Sequence, residues 1–211
     1  MRGTLFALAL LAFAAGCGGD DELGASGDGE CENVEAPAPR EPGTHEAPTE
    51  PLDANTSYGL TFETSCGTFS VALDLALAPN TAASLVALAG AGYFDDTVFH
   101  RIVPGFVIQS GDPTATGTGG PGYKTVDVPP AGSRYVKGTF AMAKGGQEPA
   151  GTSGSQFFVV TGADVGLPPD YAIVGEVTEG LDVVERIGEL GDASEQPTQP
   201  VVIRRVTVTQ S

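Results

Sequence analysis

Residues 58–75, YGLTFETSCGTFSVALDL, carry the reading of the fold. Tyr58, Leu60, Phe62 and Thr64 alternate with their neighbours, and Phe69, Val71, Leu73 and Leu75 repeat the alternation beyond Ser65-Cys66-Gly67. Successive side chains of an extended strand point to opposite faces, so a period of two marks a strand with one buried face. Two such runs joined by a short segment ending in glycine make an antiparallel hairpin, because Gly67 tolerates the positive φ that a tight turn demands.

Working outward, Pro79 suits the first turn of a helix, Ala82, Leu85, Val86 and Ala89 form its apolar stripe, and Gly90 or Gly92 ends it. Short apolar runs follow at Val107–Gln109, Thr139–Ala143, Phe157–Thr161 and Ala172–Val177, separated by loops rich in glycine and proline. A second short helix is expected over Leu181–Ile187, between Gly180 and Gly188. The closing strand, VVIRRVTVTQ, loses its alternation at Arg204-Arg205, the mark of a β-bulge. Many short strands with two brief helices predict an all-β domain, a closed barrel with helices over its ends.

The chain's 211 residues leave room for one such domain, placed at 58–211, plus appendages. Residues 1–16 read as a signal peptide: Met1-Arg2 supply positive charge, Thr4 to Ala15 are almost wholly apolar, and Ala14-Ala15-Gly16 are small. The apolar run is about 12 residues, well short of the roughly 20 that cross a bilayer. AAGC at 14–17 resembles the lipobox of bacterial lipoproteins, in which Cys17 becomes the lipid-bearing first residue; a simple cleaved signal is the alternative. Residues 17–57 hold 11 acids and one base, against 16 and 8 in residues 58–211. With little to bury and strong self-repulsion, the stretch 17–57 is expected to be a solvated tether. A pI near 4.2 argues against nucleic acid as a partner. The expectation is an exported monomer that meets the membrane only through an N-terminal lipid, on the outer side of the cytoplasmic membrane or in the periplasm.

Setting Cys17 aside for lipid leaves Cys31 and Cys66, and two leftover thiols in an exported protein are expected to pair. Chain entropy assigns such a bond about 3–4 kcal/mol. Much less is expected here, because a mobile segment 32–57 would be restricted alike in the native and unfolded chains. There is no CxxC and no Cys/His cluster, so neither a metal nor any other cofactor is implied.

Two stretches stand apart: FHRIVPGFVIQSGDPTATGTGGPGY at 99–123 and GTFAMAKGGQEPAGTSGSQFFVVTG at 138–162. Their ordered short motifs FHR, PGF, Q-x-G-D, G-T-G-G, A-M-A and G-S-Q-F-F resemble the signature of the cyclophilins, and LPPDYAIVGEVTEGLDVVERI at 167–187 is of the same kind. The resemblance implies an eight-stranded antiparallel β-barrel capped by two short α-helices. It also implies cofactor-free peptidyl-prolyl cis/trans isomerisation of proline-containing polypeptides.

The chemistry fits the residue types. A prolyl amide turns over a barrier of about 18–20 kcal/mol because its nitrogen lends a lone pair to the carbonyl. At the top of the barrier that conjugation is gone, the nitrogen is pyramidal and the amide is less polar, so a charged donor and a dry apolar wall both favour it. Arg101 is the expected donor, since its guanidinium stays charged and presents a rigid fork. By resemblance, Phe106, Val107, Phe158, Leu167 and Tyr171 form the apolar cup, and Ala143, Lys144 and Gly117 line the groove. Taken alone, Val107 and Phe158 read equally as ordinary core. Gln109 would hold Arg101 and bind a substrate carbonyl, Gln156 would help close the groove, and His100 would be a wall rather than a base, because bond rotation moves no proton.

The chain departs from the family where Met, Asn and His often stand at positions 107, 144 and 171 and where Trp precedes position 167; it contains no Trp. None of these residues is the donor. TGTGGPGY lacks the Lys-Ser/Thr of a phosphate loop. A hydrolytic triad of Ser153 or Ser155 with His100 and Asp112 is the weaker enzymatic alternative. A proline-peptide-binding chaperone or scaffold without turnover would lack Arg101, Phe106 or Gln109, and all three are present.

Overall fold

The structure, a computed structural model, describes Met1 and residues 29–211. Residues 2–28, which contain Cys17 and nearly all of the signal-like run, lie outside the described residues.

The opening hairpin is formed by β1 (Tyr58–Thr64) and β2 (Gly67–Leu73), paired from Gly59 with Ala72 to Thr64 with Gly67. Gly67 stands at φ +115°, where a side chain would be strained. Helix α1 (Pro79–Gly90) follows, then the short strands β3 (Thr97–Val98), β4 (Arg101–Val103), β5 (Val107–Ser110) and β6 (Thr125–Val126). Strands β7 (Thr139–Met142), β8 (Thr152–Ser153), β9 (Phe157–Val160) and β10 (Ile173–Glu179) lead to helix α2 (Leu181–Gly188) and the long strand β11 (Val202–Gln210).

Nine of these strands form one antiparallel sheet in the order β3-β11-β1-β2-β10-β7-β9-β5-β4, while β6 and β8 pair separately. The sheet is a curled half-barrel rather than the closed eight-stranded barrel expected from the sequence. The physical reason lies at Phe99-His100. Thr97–Val98 bonds to β11 and Arg101–Val103 to β5, so a stretch that could have closed the barrel as one strand is broken into two edges.

Inside the curl, Leu60, Phe62, Phe69, Ile102, Ile108, Phe140, Phe157 and Val159 are fully buried in one core. Helix α1 contributes Ala82, Leu85 and Leu88 and packs on β11; α2 contributes Val183, Val184 and Ile187 and packs on β2, β4 and β5. No side chain of its own caps α1. Asp127, just after β6, does so from a distance, its carboxylate accepting the amide (2.7 Å) and hydroxyl (2.6 Å) of Thr81. The expected slip in the last strand is a bulge: Glu63 pairs with Arg205 and Thr64 with Ile203, leaving Arg204 unpaired in the ladder.

The described part of the expected tether, residues 29–57, is bonded to the domain at several points. Residues 29–57 lie along the domain as a strap. Cys31 is disulfide-bonded to Cys66 at the hairpin tip, the Glu32 amide donates to Ser65 O (2.8 Å), and the Glu32 carboxylate pairs with bulged Arg204. Arg40, the segment's one base, donates its guanidinium to the carbonyls of Tyr93 (2.7 Å) and Asp95 (2.8 Å). The amides of Arg40, Gly43 and His45 donate to the carbonyls of Pro113, Gly120 and Pro121. Composition alone missed this because the gain comes from pairing backbone amides with carbonyls that a glycine-rich loop leaves open. Pro37, Pro39, Pro42, Pro48 and Pro51 also reduce the entropy that ordering removes.

Candidate functional site

Strands β4, β5 and β9 place Arg101, Gln109 and Phe158 in one cross-strand row, with Ala141 of β7 next in line. Because side chains alternate along a strand, Ile102, Ile108, Val159 and Phe140 of the adjoining row fill the core while the Arg101 row faces outward. Over that outer face Val107, Phe158, Val160, Ala141 and Tyr135 form a second apolar cluster, joined by Phe106, Ala143, Leu167 and Tyr171. Val107 and Phe158 are buried, but in this outer cluster and not in the main core.

A cleft of about 350 Å³ opens above the cluster. Arg101, Phe106, Val107, Gln109, Ala143, Lys144, Phe158, Leu167 and Tyr171 line it. Gln109, Ala143 and Lys144 also border a neighbouring hollow of about 340 Å³ that Gly117 and Gln156 line, so the two form one groove. The groove thus unites every expected substrate-contacting residue except His100.

A run of hydrogen bonds sets the polar edge. Arg101 donates from Nη1 to Gln109 Oε1 (3.4 Å), Gln109 Nε2 donates to Gln156 Oε1 (3.0 Å), and Gln156 Nε2 donates to Gly119 O (2.9 Å). The guanidinium carbon lies 6.0 Å from the Phe106 ring centre. Lys144 is 4% exposed at its side chain and is held within the protein, by Asp170 Oδ2 (2.8 Å), by Glu148 O (3.0 Å) and by the Tyr171 ring at 5.5 Å. Its stem walls the groove while its charge is already neutralised.

His100 lines neither hollow. Its ring lies 3.8 Å from where a Cβ on Gly117 would stand, and both ring nitrogens are buried. Burial lowers its pKa and keeps the imidazole neutral. Asp112 is buried under the glycine-rich loop. Burial pushes its carboxyl upward, but hydrogen bonds from the Thr114 hydroxyl and the amides of Gly119 and Thr114 outweigh burial and hold it below its ordinary value. Glycine at 119 lets the loop close over this carboxylate, since a Cβ there would meet Asp112 Oδ1 at 2.1 Å and force it to shift. With Ser155 Oγ donating to Gly111 O (2.6 Å) and Ser153 Oγ to Gly151 O (3.2 Å), no Ser/His/Asp relay exists.

Tyr135 escaped the sequence reading. Fully buried behind the cleft, its hydroxyl donates to Tyr171 O (2.7 Å) and accepts from Tyr171 N (3.1 Å), fixing the backbone of the Tyr171 wall. Burial raises its pKa. The ring of Tyr171 then stands edge-on to Phe158 at 5.6 Å.

This groove has counterparts. Residues 59–208 match the family described as cyclophilin type peptidyl-prolyl cis-trans isomerase/CLD. The chain belongs to the cyclophilin-type peptidyl-prolyl cis-trans isomerases. It is 39% identical over 168 residues to peptidyl-prolyl cis-trans isomerase A of Mycobacterium tuberculosis, covering 71% of this chain and 91% of that one. It is 38% identical over 154 residues to peptidyl-prolyl cis-trans isomerase-like 1 of Aspergillus fumigatus, covering 71% and 94%. A cyclophilin from Cryptosporidium parvum, crystallised in the presence of the dipeptide Ala-Pro, superimposes with a TM-score of 0.66 at 29% identity, over 72% of this chain and 98% of that one. Among the described residues of this cyclophilin no cluster of three metal-ligating side chains occurs, and no helix is long and apolar enough to cross a membrane.

Proposed function

We propose that the chain accelerates X-Pro isomerisation in exported polypeptides, without cofactor or covalent intermediate, and that Arg101 stabilises the twisted amide. The observation that carries this reading is a permanently charged guanidinium, Arg101, in the same cleft of about 350 Å³ as the apolar side chains of Phe106, Val107, Phe158 and Leu167. The proline ring enters the cup of Phe106, Val107, Phe158, Leu167 and Tyr171, and crystallisation of the Cryptosporidium relative in the presence of Ala-Pro is consistent with binding of proline-containing peptides. Gln109 binds the carbonyl before proline and steadies Arg101 from one side. As the amide leaves planarity, a guanidinium N–H reaches the pyramidal nitrogen and the cup favours the less polar twisted form. One preorganised donor is worth about 2.7–4 kcal/mol, so the cup and the backbone positioning supply the remainder of the acceleration. The signal-like run and Cys17 support export with a lipid anchor.

The test is a protease-coupled assay on a short X-Pro peptide. Arg101→Ala is expected to cut turnover at least about 100-fold, since it removes the donor proposed for the twisted amide, and to leave the fold intact. Arg101→Lys restores part of the rate, being charged but lacking the planar fork. A folded Ala variant that keeps most of its activity refutes the mechanism.

A further inference from the structure

We infer that Glu195, in the loop between α2 and β11, is a positioning residue for Arg101. The inference rests on Arg101 being the donor to the twisted amide. Glu195 grips two consecutive residues of the edge strand β4. Its backbone carbonyl accepts the Ile102 amide (3.0 Å), and its carboxylate Oε2 accepts Arg101 Nε (2.7 Å). Among the described residues no other strand pairs with the outer side of β4, and this loop takes the place of a further strand there.

Glu195 holds that place at a conformational cost. It stands at φ +63°, a left-handed conformation that a glutamate rarely adopts and that glycine or asparagine fills more easily. The surrounding turn enforces it. Asp192 Oδ1 accepts the amides of Ser194 (2.7 Å) and Gln196 (3.0 Å), the Asp192 amide donates to Gln196 O (2.9 Å), and the Glu195 amide donates to Asp192 O (3.1 Å). Gly191 lets the loop approach, since a Cβ there would meet Ile102 O at 2.4 Å. Strained residues persist where the surroundings over-determine them, and here the strain aims a carboxylate at the proposed catalytic side chain.

The guanidinium is thereby held from two sides, at Nε by Glu195 and at Nη1 by Gln109. Two N–H bonds on a planar fork fix its plane on a residue that lines the cleft. Arg101 is 32% and Glu195 49% exposed at the side chain, so the pair contributes little to stability, and the role inferred for it is orientation.

The experiment compares wild type, Glu195→Gly, Glu195→Asn, Glu195→Gln and Arg101→Ala, each in the full chain, by X-Pro turnover and thermal melting. Gly and Asn both accept the left-handed conformation, so melting is expected to stay at or above wild type. The rate is expected to fall through kcat, with KM little changed, by between about tenfold and a hundredfold, the range that misplacement of a reacting group produces. Gln keeps the acceptor and recovers most of the rate. The Arg101 Nε–H proton resonance, sharp in wild type, exchanges rapidly with solvent in the Gly variant, and adding Glu195→Gly to Arg101→Ala costs nothing further. If Arg101→Ala is inactive while the folded Gly or Asn variant keeps wild-type kcat, the role of Glu195 is overturned and that of Arg101 stands. If Arg101→Ala is active, both fall. Should the Gly variant melt markedly lower, the Asn variant decides by the same criterion.

Discussion

Breaking the Cys31–Cys66 bond should destabilise the domain by the full loop-closure value. The two cysteines are 35 positions apart, and for a loop of that length chain entropy gives about 4 kcal/mol at 25 °C. That figure applies only if the loop is ordered when folded; a strap as mobile in the native as in the unfolded chain would cancel the effect. The strap is ordered at Glu32, Arg40, Gly43 and His45, each bonded to a different part of the domain, so little cancels. Cys31→Ala is the cleaner perturbation, because Cys31 is only partly buried whereas Cys66 is 2% exposed and its truncation would add a cavity. Urea unfolding followed by fluorescence is the assay. With a slope of about 2 kcal/mol per M, the midpoint should fall by about 2 M. X-Pro turnover of the folded variant should be close to wild type, since no groove residue is touched. A midpoint lowered by less than about 0.5 M, which is about 1 kcal/mol, would refute the ordered strap.

Two other perturbations probe the site's supports. Tyr135→Phe leaves the amide and carbonyl of Tyr171 without their buried partner, so stability should fall by about 2–4 kcal/mol and KM should rise as the Tyr171 wall loosens; unchanged stability would show that the backbone there finds other partners. His100, whose pKa burial depresses below 6.5, binds its proton in the unfolded chain before the folded one. Its contribution is therefore complete above pH 6.5 and lost as the pH falls from 6.5 toward the folded value, so unfolding free energy should decline across that window in wild type and less steeply in His100→Phe. Equal slopes in the two proteins would refute a neutral buried imidazole.

Much of the scaffold can be read from residue periodicity, and the rest could not be. The β1–β2 hairpin, both helices and the bulge at Arg204 leave local marks: alternation, a proline start, flanking glycines, a slipped register. Strands of two or three residues, such as β3, β4, β6 and β8, are too short for any period, and the break at Phe99-His100 that opens the barrel depends on which distant strand each half finds. The Arg101 cleft was legible because its residues sit in dense ordered motifs. Tyr135 and Glu195 were not. Their partners lie 36 and 94 positions away, and Glu195 looks like any other acid of a polar loop until its φ is known.

Strand β11 is hydrogen-bonded to both β1 and β3, and the backbones of Ser57 and Ser211 exchange amide bonds just beyond the ends of β1 and β11. The strand that covers the open edge of β1 is the last of the domain to be synthesised. While a ribosome works through residues 58–200, β1 has its hairpin partner on one side and a bare edge on the other, the kind of edge that recruits foreign strands. Local hairpins and helices form early, but the sheet gains its long-range order only when residues separated by nearly the whole domain meet, the slow class of event in folding. The newly made chain consequently has an interval of vulnerability that ends with the docking of Val202–Gln210.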